Sequence, residues 1–174
     1  QSVEMSRLAE IIRPTCGLFT VLVSAHDAGF PDRASKHREK LSLFAGARWV
    51  AVMADDNDSI RLLRMAGIEP LTFLGVAGRF LEVNEEPLRL DFPNLPAIYL
   101  ENAYAAAAVA YEFGLDRATL NMELHKLQPL TNRLEQREGL HGGIVINDSY
   151  SNDFSALAAA LDFAVEQNPF SELP

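Results

Sequence analysis

Several polar side chains in this sequence stand at the ends of apolar runs, where a folded chain can turn them toward a ligand. His26 and Asp27 lie in the loop S-A-H-D-A-G-F-P-D, just past the run G-L-F-T-V-L-V. That position suits a metal or phosphate ligand. An isolated loop histidine is, on position alone, more often solvated or a cap. Lys40 closes the charged half of R-A-S-K-H-R-E-K-L-S-L-F-A. A lysine beside Lys36, Arg38 and Glu39 is ordinarily a solvated charge, yet one followed at once by Leu41 can be partly desolvated and give up its proton readily. Asn102 opens an alanine-rich stretch. It reads as a polar residue in a first helical turn whose amide can both donate and accept. Arg133 offers a planar fork for phosphate oxygens, and Asp148, at the end of I-V-I-N, a carboxylate able to accept from both hydroxyls of a ribose. By itself, Arg133 reads with Glu135 as an exposed strand pair.

Periodicity sets out the elements that must position these groups. Residues 4–13 carry Met5, Leu8, Ile11 and Ile12 at helical spacing, and Pro14 ends the helix. Residues 17–23 form an uninterrupted β-branched and aromatic run, expected to be a strand covered on both faces. A helix over 33–45 and a strand over 48–54, ending in Asp55 and Asp56, complete a strand, helix, strand unit that calls for a right-handed parallel crossover. Next come a helix over 58–66 closed by Gly67, and short, partly antiparallel strands at 71–73, 79–83 and 87–90. D-F-P-N-L-P-A is a connection. Residues 100–113 form a helix closed by Gly114, and Asp116 caps another through Leu127. After Q-P-L-T-N come a buried strand at 144–146, a polar turn at 147–153 and a helix with Leu157, Ala160, Leu161 and Ala164 on one stripe. That turn is expected at the carboxyl end of a parallel strand, where such sheets bind nucleotides. The fold class is α/β, with a boundary near Thr131 dividing residues 1–131 from 132–174.

Composition narrows the function classes. The 174 residues are 48% hydrophobic and 22% charged, a globular balance that excludes disorder and collagen-like order. A net charge of −9 without any basic run argues against a nucleic-acid surface and for small molecules and a metal as partners. Cys16 alone cannot form an internal disulfide and suits a reducing compartment, though its ordinary reading is a small buried hydrophobe. No apolar segment approaches the ~20 residues of a membrane span and no basic-then-apolar leader opens the chain, so a cytoplasmic location is expected. A chain beginning Gln1-Ser2-Val3 and closing on one βα unit reads as an excerpt, because such a unit cannot bury its sheet alone.

R-L-E, followed by I-N-D-S-Y-x-x-D and A-L-D-F, closely resembles the Mur ligases, the ATP-dependent amide-forming enzymes of peptidoglycan synthesis. The branch it resembles adds D-alanyl-D-alanine to a UDP-muramoyl tripeptide. T-V-L-V-S-A-H-D-A-G-F is similar to the family pattern T-N-x-x-x-x-H-x-x-x-F, whose histidine helps bind magnesium; Val21 replaces the usual asparagine and Ser24 a frequent glutamate. E-K-L-S-L-F-A-G-A-R-W-V-A-V-M-A-D-D is similar to the stretch whose lysine is carbamylated. The spacing to the following Leu and Phe favours Lys40 over Lys36, and the resulting carboxylate mimic would hold Mg²⁺ beside the phosphates. The resemblance makes Asn102 an adenine contact, with Tyr99 where a further asparagine is frequent. It makes Arg133 the arginine that reaches ATP across a domain interface and Asp148 the ribose-binding aspartate, with Tyr150 and Asn152 in the same turn. S-Y-S-N-D-F departs from the commoner S-Y-N-A-N-P and is closer to ligases of this branch fused to an alanine racemase.

The resemblance implies that 1–131 is the C-terminal part of the central ATP-binding domain, a parallel sheet with flanking helices and a small antiparallel piece. Residues 132–174 would be the first strands and helix of a Rossmann-like C-terminal domain. It implies ATP and Mg²⁺ as cofactors, an acyl phosphate intermediate, and electrostatic neutralisation of several negative oxygens. No G-x-x-x-x-G-K-[ST] loop occurs in the sequence. The chain then covers about a third of a three-domain enzyme of ~450 residues, and alone should not catalyse. Two other readings stand beside this one: the same fold with another substrate, as in folylpolyglutamate or cyanophycin synthesis, and a non-catalytic remnant that binds only a partner.

Overall fold

The computed structural model describes residues 4–20, 22, 30–76, 80–93, 95, 97–128, 130–150 and 154–166. Helix α1 (Glu4–Ile12) leads to strand β1 (Cys16–Leu18), helix α2 (Arg33–Leu41) with a 3₁₀ turn at Ser42–Phe44, and strand β2 (Trp49–Met53). Helix α3 (Asn57–Met65) and strands β3 (Glu69–Val76), β4 (Phe80–Val83) and β5 (Glu86–Arg89) follow. The five strands form one sheet in sequence order, with β1, β2 and β3 parallel and β4 and β5 returning antiparallel. This is the expected mixed α/β layout. Helices connect the parallel strands because a parallel pair cannot be joined by a tight turn.

The period-2 alternation of W-V-A-V-M decides the layering. Val50 and Val52 face a cluster with Leu41, Phe44, Leu63 and Ile68, beneath α2 and α3. Ala51 faces the opposite cluster, where helix α4 (Ala97–Glu112) and helix α5 (Arg117–Leu124) cover Leu71, Phe73, Leu81 and Val83. Val50, Val52, Leu63, Leu81 and Leu90 are completely buried or nearly so, and each contributes about 1.5–3 kcal/mol relative to exposure. Alanines make the close approach of α4 possible: Ala103, Ala105, Ala107 and Ala108 are all buried. Gly75 of β3 lies directly under the Tyr104 ring, and any Cβ there would collide with it.

Helix ends follow the capping chemistry. Asp116 accepts from the Thr119 amide at 2.8 Å, and Asp32 and Asp56 cap α2 and α3 in the same way. Gly67 and Gly114, at φ +72° and +91°, end α3 and α4, where the residue after each glycine returns its N–H to a carbonyl five residues back.

Beyond α5 a separate two-stranded antiparallel sheet pairs β6 (Glu135–Glu138) with β7 (Ile144–Asn147), and helix α6 (Phe154–Glu166) follows. Here the structure departs from the sequence reading. Among the described residues β7 pairs only with β6, so its carboxyl end is not that of a parallel strand. Ile144 and Val145, expected to be buried, are half exposed, as are Leu157 and Leu161 on α6. Within the described residues no further layer covers them, and a two-stranded ribbon cannot bury both of its faces. Among the described residues β1 is an edge strand with Leu18 exposed, where a strand over 17–23 covered on both faces was expected, and α5 ends at Leu124 rather than Leu127. Asn102 falls in the second turn of α4, because the helix begins at Ala97. Among the described residues no helix is long and apolar enough to cross a membrane.

Candidate functional site

The linker between α5 and β6 brings distant residues together. Tyr99 and Asn102 on α4, Arg133 and Leu134 on the linker, and Asp148 after β7 line one cavity of about 60 Å³, with two alanines of α6 across it. Asp148, half-buried, accepts the Leu134 N–H on Oδ1 at 3.2 Å. The Tyr150 N–H reaches the Asn132 carbonyl at 3.1 Å, and the Asn147 side-chain amide donates to Asn132 Oδ1 at 2.8 Å. The Arg133 guanidinium lies over the Tyr150 ring, 4.2 Å from its centroid, a cation–π arrangement that also orients the guanidinium plane. The Tyr99 hydroxyl donates to the Arg133 carbonyl. Burial raises the Tyr99 phenol above its ordinary value of 10.0; Arg133 and the Leu130 backbone oppose the shift and Asp148 adds to it.

Glu135 anchors the same linker. Its carboxylate accepts from the Asn132 amide at 3.1 Å and from Arg137 at 3.0 and 3.1 Å, and these donors hold its carboxyl below the usual value. Tyr99 and Asn102 also line a larger apolar cavity of about 370 Å³ between α4 and α5. An amide edge, a guanidinium and a carboxylate thus stand along two adjoining cavities, one apolar and one polar. This combination can take a flat ring, a sugar hydroxyl and an anionic oxygen together.

A second polar cavity, of about 390 Å³, lies near the carboxyl ends of β1 and β2. Arg33 and His37 of α2 face it, with Asp55, Asp56 and Glu101. His37 is buried, its ring stacked on Phe19, and its Nε2 is 2.6 Å from Ser59 Oγ. Ser59 Oγ in turn donates to Asp56 Oδ2 at 2.5 Å. The carboxylate can only accept, so the serine proton points to Asp56 and His37 Nε2 must carry the hydrogen. Sequence reasoning passed over this chain of contacts. Its signal was the spacing of Arg33, His37, Leu41 and Phe44, four and then three residues apart on one face of an otherwise charged segment. Lys36, His37 and Glu39, in a run expected to be solvated, are buried beneath the neighbouring elements, and Glu39 Oε1 accepts the Met5 N–H of α1 at 3.1 Å.

Lys40 is half-buried on α2 and does not line that cavity, whereas Lys36 is the buried lysine. His26 and Asn152 lie outside the described residues, as do Val21 and Ser24. Among the described residues no group of three or more His, Cys, Asp or Glu side chains could hold a metal ion. Asn102, Arg133 and Asp148 do come together around one cavity, and Tyr150 stands against Arg133.

No protein-family model matches the chain, and no curated protein matches it. Solved structures do. Two crystal structures of MurF from Acinetobacter baumannii superpose with TM-scores of 0.76 and 0.75 at 17% identity, over 94% of this chain and 40% of theirs. A point mutant of L. casei FPGS superposes with a TM-score of 0.62 at 16% identity, over 92% of this chain and 44% of its own. The chain has the fold of these proteins. It spans less than half of their length.

Proposed function

We propose that this chain is the nucleotide-binding part of an ATP-dependent amide ligase of the Mur type, which joins D-alanyl-D-alanine to a UDP-muramoyl tripeptide in the cytoplasm through an acyl phosphate. The observation that carries this reading is the meeting of Asn102, Arg133 and Asp148, far apart in sequence, around one cavity. Asn102 would contact the adenine, with the base against the alanine- and leucine-lined cavity it shares with Tyr99. Asp148, with one oxygen on the Leu134 amide, keeps its other oxygen for the ribose hydroxyls. Arg133, braced on Tyr150, would neutralise phosphate charge. Magnesium would be held by His26 and a carbamylated Lys40, and would supply a Lewis acid to the phosphates. Residues 1–131 then belong to the central domain and 132–174 to the C-terminal one, and catalysis needs the longer polypeptide that carries a phosphate-binding loop.

A longer polypeptide containing this chain, given ATP, UDP-muramoyl-tripeptide and D-alanyl-D-alanine, should release ADP and phosphate in step with amide formation. Phosphate release with a folate and glutamate, and none with the muramoyl substrate, would move the assignment to the folylpolyglutamate class, a reading supported by the superposition on FPGS.

A further inference from the structure

We propose that Tyr99 is a positioning residue, a latch that ties the 130–134 linker to α4 so that Arg133 and Asp148 face one cavity. The effect on ligand rests on the nucleotide reading above. The linker takes an unusual path: Asn132 and Leu134, on either side of Arg133, are both left-handed, at φ +62° and +47°. For a bulky residue such as Leu134 that conformation is costly and persists only where surrounding contacts over-determine it.

Those contacts come from two sides. The hairpin unit supplies four: the Tyr150 N–H donates to the Asn132 carbonyl at 3.1 Å, the Asn147 side-chain amide to Asn132 Oδ1 at 2.8 Å, the Asn132 N–H to Glu135 Oε2 at 3.1 Å, and the Leu134 N–H to Asp148 Oδ1 at 3.2 Å. From the five-stranded unit, the Tyr99 hydroxyl donates to the Arg133 carbonyl, in the middle of the strained segment. Tyr99 also forms wall in both adjoining cavities. One hydroxyl therefore joins the helix bearing Asn102 to the segment bearing Arg133, and, one residue on, to the amide that holds Asp148. Tyrosine stands where the resemblance leads one to expect asparagine, so the contact belongs to this chain.

The test compares the 174-residue chain with Tyr99→Phe, which keeps the ring and removes the donor, using AMP as the probe. In the unsubstituted chain the Leu134 and Tyr150 amides should be protected from hydrogen exchange. In Tyr99→Phe their exchange and the Kd for AMP should each rise about five-fold, the loss of one hydrogen bond, while β2 amides stay unchanged. The AMP-induced NMR shift of the Asn102 side-chain amide should persist as that of the Leu134 amide shrinks; general loosening would remove both. Unprotected Leu134 and Tyr150 amides in the unsubstituted chain, or a Tyr99→Phe chain with unaltered exchange and affinity, overturn the latch. Should Tyr99→Phe free the linker in a chain that never bound AMP, the latch stands and the nucleotide reading falls.

Discussion

At the scale of single residues, the His37–Ser59–Asp56 chain has the clearest energetic consequence. Ser59 is completely enclosed, and it joins a buried imidazole to the carboxylate that caps α3. Ser59→Ala strands the His37 N–H without an acceptor, which costs about 1–3 kcal/mol. The urea midpoint should fall accordingly; an unchanged midpoint would mean that His37 finds another partner. The N-cap of α5 makes a prediction of opposite experimental character, a pH effect. The Thr119 backbone and side chain hold the Asp116 carboxyl below its ordinary value of 3.8. The folded value lies below the unfolded one, so this stabilisation is complete above pH 3.8 and disappears as pH falls through the folded value. Asp116→Asn keeps a capping acceptor but not the charge, and its stability profile below that pH should be flatter than the parent's.

Among the elements, the contact between α4 and β3 controls how near Asn102 and Tyr99 come to the sheet and the linker. Tyr104 lies over Gly75 with no room for a methyl group, and its ring meets Phe92 edge-on with centroids 4.6 Å apart. Gly75→Ala should destabilise the protein by about 1–3 kcal/mol, the usual cost of overpacking. Combined with Tyr104→Ala, the same substitution should cost less than the sum of the two alone, because the ring it strikes is gone. Additive losses in that double-mutant cycle would show that β3 moves rather than α4.

Over the whole molecule, the two sheets differ in how much they bury. The five-stranded sheet has clusters on both faces, whereas among the described residues the hairpin unit buries little beyond Leu134 and Phe163 and leaves Phe154, Leu157, Leu161 and Val165 exposed. Opening free energy follows buried contact, so amides of β7 should exchange at least about ten-fold faster than those of β2. Equal protection would reveal a covering contact absent from the described residues. ATP given to this chain alone should yield no ADP above background, since the sequence holds no glycine-rich lysine loop. Turnover by the isolated chain would remove the division of labour proposed above.

Local sequence was sufficient for what depends on neighbours along the chain. The strand around W-V-A-V-M, the cap Asp116 and the glycines closing α3 and α4 each specify their element through contacts within about five residues, and each appears in the structure. Asn102, Arg133 and Asp148 were recognisable as chemically able residues. The resemblance grouped them around one nucleotide, but residue chemistry and spacing could not, because their meeting depends on how the linker crosses α4, and that path is set by Tyr99, Asn147 and Asp148 acting across sequence gaps. The burial of Lys36, His37 and Glu39 was invisible for the same reason: a charged run reads as solvated until the packing of neighbouring elements excludes water from it. Side-chain chemistry and periodicity are properties of the chain, but which polar groups share a cavity is decided only when distant segments pack.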